Sequence, residues 1–382
     1  MPQPIYLDYN ASTPLAPEVL EAMTAVFRDV HGNALSTHAF GVAARRVVEA
    51  GRAEVSAAIG AEPDEIVFTS GGTESNNTAI EGVAEALADR GRHLVITAIE
   101  HASVEQACRA LEKRGWGVTR VPVDQSGAID ARAIGSAIRP DTVLVSVMHA
   151  NNETGVIQPV AAAARAAHAR GVLMHTDAAQ SFGKIRVNVR DLDVDLLSIA
   201  GHKVYAPQGI GALYLRRGTP FSPLLRGAGH QQNRRSGTES VGLSAALGIA
   251  SALAARELDA RRAHAQTMRD RLEIRLREAF PGLVVHGAAA KRLPNTLYAA
   301  FPGLDAHELL LRMDGVATGS GAACRSGKAD PSKVLLAMGV KPELASSTLR
   351  LTTGRPTTAA EIDRAVALIV EAAKALSGSA KA

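Results

Sequence analysis

The sequence predicts an α/β protein, and three observations carry that reading. Short, continuous runs of Val, Ile and Leu recur from about residue 60, helical stretches separate them, and the pattern changes after about residue 240. Strands apolar on both faces, with helices between them, belong to a largely parallel sheet covered on both sides. In order, "EIVFTS" (65–70) reads as a strand and "ESNNTAIEGVAEALADR" (74–90) as a helix. "HLVITA" (93–98) is a strand, followed by a helix over "SVEQACRALEKRG". "TVLVSVMHA" (142–150) is a strand, and an Ala-rich helix starts near Val160. "VLMHTDA" (172–178), "VDLLSIA" (194–200) and "GALYLRR" (211–217) read as strands. Beyond residue 240 one long helical stretch, Gly242 to Glu278, leads into a smaller α+β region. That region contains the strand "NTLYAAF", a helix near "AHELLLRM", the loop "ATGSGAACRSG" and a last helix from Thr358.

Composition narrows the class. The 382 residues are enough for one large or two medium domains, and 46% apolar with 21% charged residues is ordinary for a globular chain. No apolar run reaches the ~18 residues of a membrane span. The start, "MPQPIYLDYN", lacks the basic and apolar regions of a signal peptide. With 42 basic against 38 acidic residues and no dense basic block, the charge argues against direct nucleic-acid binding. Cys108 and Cys324 form neither a disulfide framework nor a metal motif, so the expectation is a reducing, cytoplasmic setting and no metal.

The chemistry sits where the strands end, which is where parallel α/β sheets place their ligands. After the first strand comes "GGTESNN": Gly71 and Gly72 free the backbone, Thr73 offers a hydroxyl and a helix starts at once, which makes a phosphate cradle. His101 follows the second strand, Asn151 and Asn152 the third, Asp177 with Gln180 the fourth, and "GHK" with His202 and Lys203 the fifth. Only nine lysines occur in the chain, and this one lies just past a strand; an arginine there could never lose its proton, whereas a desolvated lysine can. Each residue alone reads more simply as a cap, a turn or a satisfied core group. Together they describe a pyridoxal phosphate site. In it the helix N-terminus takes the phosphate, Lys203 the aldehyde and Asp177 the ring nitrogen. Asn152 and Gln180 reach the phenolic oxygen, and His101 stacks on the ring and moves protons. Asp177 and Lys203 lie 26 residues apart, enough for one crossover between neighbouring strands.

At this point a family resemblance becomes visible. "YLDYNASTP", "GNALSTHAFG", "VFTSGGTESNN", "EHASV", "ANNETGVIQP", "HTDAAQSFGK", "GHKVYAPQGIGALY", "RRSGTES" and "GSGAACRSGKADPSKVLLAMG" occur in this order. They resemble the NifS/IscS-type cysteine desulfurases, fold-type I pyridoxal-phosphate enzymes of class V, over essentially the whole chain. The resemblance implies a mostly parallel seven-stranded sheet with flanking helices. It also implies a large domain over 15–258, and a small domain from 1–14 and 259–382 that carries a cysteine loop at about 318–331. By resemblance Lys203 is the Schiff-base lysine, and Thr73, His101, Asn152, Asp177, Gln180 and His202 fall on cofactor positions. Thr238 falls where the family reaches the phosphate of a neighbouring subunit, implying a homodimer. Arg350 falls on the arginine that takes the substrate carboxylate, a task suited to a bidentate guanidinium.

Cys324 decides the expected reaction. Cys108, inside a helical stretch, reads as a small core residue. Cys324 lies in a Gly/Ser-rich loop beside Arg325 and Lys328, a setting for an exposed thiol of lowered pKa. The expectation is conversion of L-cysteine to L-alanine, with the sulfur passing to Cys324 as a persulfide and then to an acceptor protein. Iron–sulfur cluster assembly, tRNA thiolation and DNA phosphorothioation all draw on such enzymes. Two rival readings use the same fold: a class V aminotransferase-like enzyme, which has no need of Cys324, and a non-catalytic sulfur-relay scaffold, which has no need of Lys203. Three departures from the family pattern stand out. Ala200 replaces a usual Ser or Thr, "GAGHQQNRR" makes His230 to Asn233 unusual, and "SGAAC" precedes the cysteine.

Overall fold

The computed structural model describes residues 4–320, 324–325, 328–329 and 331–379. The N-terminal segment contributes β1 (Ile5–Tyr6). The main sheet holds β2 (Ile66–Thr69), β3 (His93–Thr97), β4 (Gly117–Val121), β5 (Thr142–Ser146), β6 (Leu173–Asp177), β7 (Leu196–Ala200) and β8 (Gly211–Leu215). Its seven strands run in the order β2-β8-β7-β6-β5-β3-β4. All pairings are parallel except those of β8, which lies antiparallel between β2 and β7. So β2, β3, β5, β6 and β7 all end on one edge, and the residues that follow them meet there.

The apolar runs explain themselves by burial. Every residue of β2, β3, β5, β7 and β8 is buried, because helices cover both faces. The Ala-rich helix Val160–His168 buries Val160, Ala163, Ala164 and Ala167, a one-sided stripe at helical spacing. Strand β4 was absent from the expectations. It is an edge strand in which only Val121 is buried, so it lacks the continuous apolar signature of its neighbours. The expected long helix from Gly242 to Glu278 is two helices, Val241–Arg256 and Leu258–Ala279, bent by 75° at Glu257. Among the described residues no single helix is long and apolar enough to cross a membrane.

Beyond the bend lie β9 (Val284–Val285), β10 (Thr296–Ala300), β11 (Val316–Ala317), β12 (Cys324–Arg325), β13 (Lys328–Ala329) and β14 (Thr348–Thr352). β14, β10 and β9 form an antiparallel sheet. The chain start joins this region: β1 pairs in parallel with β11, and Asp8 bridges to Thr352. Ile5 and Leu7 share an apolar cluster with Leu272, Leu297, Leu351 and Ile369. A short antiparallel pair, β12 with β13, sets Cys324 opposite Ala329.

The unusual His230–Asn233 stretch has a physical explanation. Gln231, Gln232 and Asn233 all have positive φ, at 48°, 59° and 63°. Left-handed backbone costs a non-glycine residue roughly 1–2 kcal/mol, so something must hold this turn. The Gln231 amide does so by pairing with the open edge of β2: Phe68 N donates to its Oε1 at 2.6 Å, and its Nε2 donates to Phe68 O at 2.8 Å. Arg52, stacked 4.9 Å from the Phe68 ring, donates to the same Oε1 at 3.3 Å. Gln231→Ala therefore lowers stability by about 1–3 kcal/mol, through lost and unpaired buried hydrogen bonds. Gln232→Gly, at an exposed position that only carries the strain, raises it by up to ~1 kcal/mol. Urea titration of both variants reads the two signs; a stabilised Gln231→Ala contradicts the clamp.

Candidate active site

At the carboxyl edge of the sheet lies a cleft of about 580 Å³, within the usual range for small-molecule sites. Its lining brings together Gly72, Thr73, His101, Asn152, Asp177, Gln180, His202, Lys203 and Arg350, every site residue expected from the sequence but two. Thr238 is exposed and does not line the cleft. The side chain of Cys324 lies outside the described residues, as do the loop positions Gly321 to Ala323 that follow Ser320.

One wall is the cradle. Helix Gly72–Ala86 starts directly after β2, and Gly71 at φ 150° makes the turn. A side chain on Gly211 would sit 2.7 Å from the Gly71 Cα, so β8 passes too close for anything but glycine. The first N–H groups of a helix have no partner within it, and here they open on the cleft. Glu74, at the same mouth, has its carboxylate engaged: it accepts from Ser70 N at 2.7 Å and pairs with Arg235 at 2.9 Å. Ala200 lines the cleft as well, so the position where a hydroxyl was expected offers only a methyl group to the cradle.

Asp177 ends β6 with its carboxylate fixed from both sides. Asn76 Nδ2 donates to Oδ2 at 2.7 Å, and Ala179 N donates to Oδ1 at 2.9 Å. Both contacts are donors, so both carboxylate oxygens act as acceptors and the group is fixed in orientation. Asn76 gives its other hydrogen to Ser103 Oγ at 2.8 Å, and Ser103 Oγ lies 2.7 Å from His101 Nδ1. That nitrogen also accepts from Ser103 N at 3.2 Å, which assigns the proton of neutral His101 to Nε2. Neither Asn76 nor Ser103 was singled out from the sequence, although both stand within the quoted motifs.

Lys203 closes a 3-10 turn just past β7. Its Nζ donates to the carbonyls of Asn10 and of Ala11, the latter at 2.8 Å. Its pKa is lowered from the ordinary 10.5 to about 8, first by burial and then by the Arg350 charge, against the pull of Asp177 and Asp8. His202 beside it is pushed down to about 4, by burial and then by the Lys203 charge. Gln180 Nε2 donates to the same Asn10 carbonyl at 2.9 Å, while its Oε1 accepts from Lys184 Nζ at 2.8 Å. Because a carbonyl only accepts, the Gln180 NH2 group must be the end that faces Asn10 and the Lys203 amine.

Arg350 stands on β14 and reaches in from the other side. Its Nη2 pairs with Asp8 at 2.6 Å and its Nη1 donates to Asn152 O at 3.2 Å. Its buried Nε has no partner among the described residues. Cys108 is fully buried and its thiol is pushed up to about 12 by burial, which makes it a core residue.

The donor set suits pyridoxal phosphate. A glycine cradle at a helix N-terminus, a lysine of depressed pKa, a carboxylate fixed by two donors and an arginine all line one cleft. Comparison with known proteins agrees. The family model described as Aminotransferase class-V matches residues 5–365. "Cysteine desulfurase IscS" of Anaeromyxobacter dehalogenans (strain 2CP-C) is 44% identical over 380 residues, covering 98% of this chain and 93% of the relative. A solved "NIFS-LIKE PROTEIN" superposes with a TM-score of 0.90 at 34% identity, covering 97% of this chain and 99% of that one. "SspA in complex with cysteine" gives 0.82 at 34% identity, over 91% and 98%.

The Lys203 environment gives a direct test. In the cofactor-free chain, amine-reactive labelling followed by peptide mass spectrometry shows Lys203 titrating near pH 8, well below an ordinary lysine. Arg350→Gln, which removes a neighbouring cation, moves that midpoint up. An unmoved midpoint in Arg350→Gln shows that burial alone sets it.

With its fold, its cleft and a family match over nearly its full length, the chain belongs to the pyridoxal-phosphate-dependent aminotransferase class-V family, in the branch that holds the cysteine desulfurases.

Proposed function

We propose that this chain is a cysteine desulfurase that converts L-cysteine to L-alanine and delivers the sulfur, through Cys324, to an acceptor protein. The observation that carries the reading is the depressed Lys203 amine between Asp177 and Arg350 in a cleft with a phosphate cradle. When bound, pyridoxal phosphate supplies an aldehyde that takes up amines and a ring that accepts electrons. Gly72 and Thr73 hold its phosphate, Asp177 keeps its ring nitrogen protonated, and Gln180, Asn152, His101 and His202 position the ring.

The remaining roles belong to the chain's own groups. Arg350 binds the substrate carboxylate and Asp8 keeps its guanidinium from turning. Lys203 Nζ, neutral in a larger fraction than an ordinary lysine, takes the proton from the substrate α-carbon. His101, with its proton on Nε2, exchanges protons at the substrate. The Cys324 thiolate attacks the substrate sulfur; the S–S bond forms as the C–S bond breaks, and its electron pair stays on carbon. That carbon takes a proton and leaves as alanine, so cysteine and one thiol give alanine and one persulfide.

The domain division into 15–258 and 1–14 with 259–382 is supported by the shared apolar cluster of Ile5 and Leu7 with Leu297 and Ile369. A homodimer is supported by the exposed apolar side chains Leu20, Phe27, Leu35 and Phe40 in the N-terminal part of the chain, and by Thr238 standing outside its own cleft. The cytoplasm is the setting that suits a free thiol.

Lys203→Ala and Lys203→Arg both abolish alanine formation from cysteine, the second because a guanidinium does not deprotonate. Asp177→Asn loses at least tenfold, about 1.4 kcal/mol of barrier. Cys108→Ser keeps nearly full activity, whereas Cys324→Ser still binds cysteine but releases no sulfide with a reductant. Full sulfide release by Cys324→Ser, or amino transfer to a keto acid as the main reaction, returns the aminotransferase-like reading to first place.

A further inference from the structure

Directly after Asn152, the chain buries a carboxylate that none of the chemistry above uses. Glu153 is 9% exposed, and burial raises its pKa. It belongs to the large-domain turn after β5, where Asn151 Oδ1 accepts from Glu153 N at 2.9 Å and from Thr154 N at 3.0 Å. Its side chain leaves that turn and enters the small domain. Glu153 Oε2 accepts from Tyr298 Oη at 3.0 Å and, in a short contact, from the Ser332 hydroxyl. Tyr298 Oη also lies 3.3 Å from the carbonyl of Ser320. Ser332 caps helix Lys333–Ala337, accepting from Leu335 N at 3.2 Å.

Ser320 and Ser332 stand on either side of the stretch containing Cys324. Both meet at the Tyr298 and Glu153 head groups. The Tyr298 ring is fully buried among Ile99, Met148, Val334, Leu335 and Met338, side chains drawn from both parts of the chain. Tyr298 can donate its single proton to one acceptor at a time, so the carboxylate and the carbonyl share it. Arg350 is the charged group facing this cluster, and it partly offsets the cost of burying Glu153.

We propose that Glu153, with Tyr298 and Ser332, is a positioning group for the sulfur-transfer step: it ties both ends of the Cys324-bearing segment to the turn that presents Asn152. This rests on the desulfurase reading for its consequence, although the tie itself is geometric. The set does not touch substrate. A buried carboxylate serving only as a staple between domains loses stability when altered, which lowers the active fraction and apparent kcat but leaves the reactivity of Cys324 in the folded protein as it was. A positioning group for one segment changes the step in which that segment acts and leaves cysteine binding as it was.

The test uses Tyr298→Phe, which keeps the ring in its packing and removes only the hydroxyl, and Glu153→Gln, which keeps the shape and replaces one carboxyl oxygen with an amide nitrogen. Two readouts are taken on the full-length, cofactor-loaded protein. The first is the rate of Cys324 alkylation by iodoacetamide, followed by peptide mass spectrometry, which requires no turnover. The second is the steady-state kinetics of alanine formation. The expected result is a Cys324 alkylation rate changed at least threefold in either variant. Alongside it kcat falls at least threefold in Tyr298→Phe and at least tenfold in Glu153→Gln, with the KM for cysteine within twofold of the parent. Alkylation and kcat both within twofold of the parent overturn the proposal. So does a loss of kcat matched by a rise in KM, which would assign Glu153 to the Asn152 and Arg350 side of the cleft. If Glu153→Gln does not fold, Tyr298→Phe decides by the same criteria. A parent protein that forms no persulfide refutes the desulfurase reading, while the alkylation comparison still reads the tie.

Discussion

The architecture turns on one constraint: an amine has to be held inside the protein without its full charge. Lys203 meets it by standing at the end of a completely buried strand, where solvation is poor, and beside Arg350, whose positive charge opposes a second one. Among the described residues, two neutral oxygen dipoles, the carbonyls of Asn10 and Ala11, take its hydrogens. A carboxylate in direct contact would hold the proton on the amine and defeat the arrangement. Asp177 and Asp8 act at longer range and limit the drop rather than cancel it.

That requirement explains why the first residues of the chain lie where they do. Asn10 spends every polar group on the site. Its carbonyl serves Lys203 and Gln180, and its Oδ1 takes Lys184 at 2.8 Å and Asn295 at 3.0 Å. Its Nδ2 reaches Asn152 O at 3.2 Å and Thr296 at 2.9 Å, and its N–H reaches Thr352 at 3.1 Å. Partners on both sides of the cleft thus converge on one asparagine. Asp8, two residues earlier, fixes Arg350 in the same way. These bonds hold both walls of the cleft to one residue.

Much of this was legible in the sequence for a simple reason. In a parallel sheet the residues following each strand share one edge, so finding the strands found His101, Asn152, Asp177, Gln180 and Lys203 together. The exposed edge strand β4 escaped because a half-solvated strand carries no continuous apolar run. The break at Glu257 escaped because neither glycine nor proline marks it. Asn10, Asn76, Glu153 and Tyr298 escaped for another reason. Their partners lie far away in the chain, as in the 145 residues between Glu153 and Tyr298 or the 101 between Asn76 and Asp177, and no local pattern encodes such a pairing. Thr238, exposed and outside its own cleft, is a residue whose role a single copy of the chain does not display.

In the proposed reaction the sulfur of cysteine passes through one particular thiol. A single-turnover experiment reads it: the purified, cofactor-loaded protein is mixed with a slight excess of isotopically labelled cysteine, quenched with an alkylating agent and digested. The account predicts one labelled sulfur on the peptide containing Cys324, in amount equal to the alanine formed, and none on the peptide containing Cys108. Alanine formed without labelled sulfur on Cys324, or the label carried by Cys108, would contradict it.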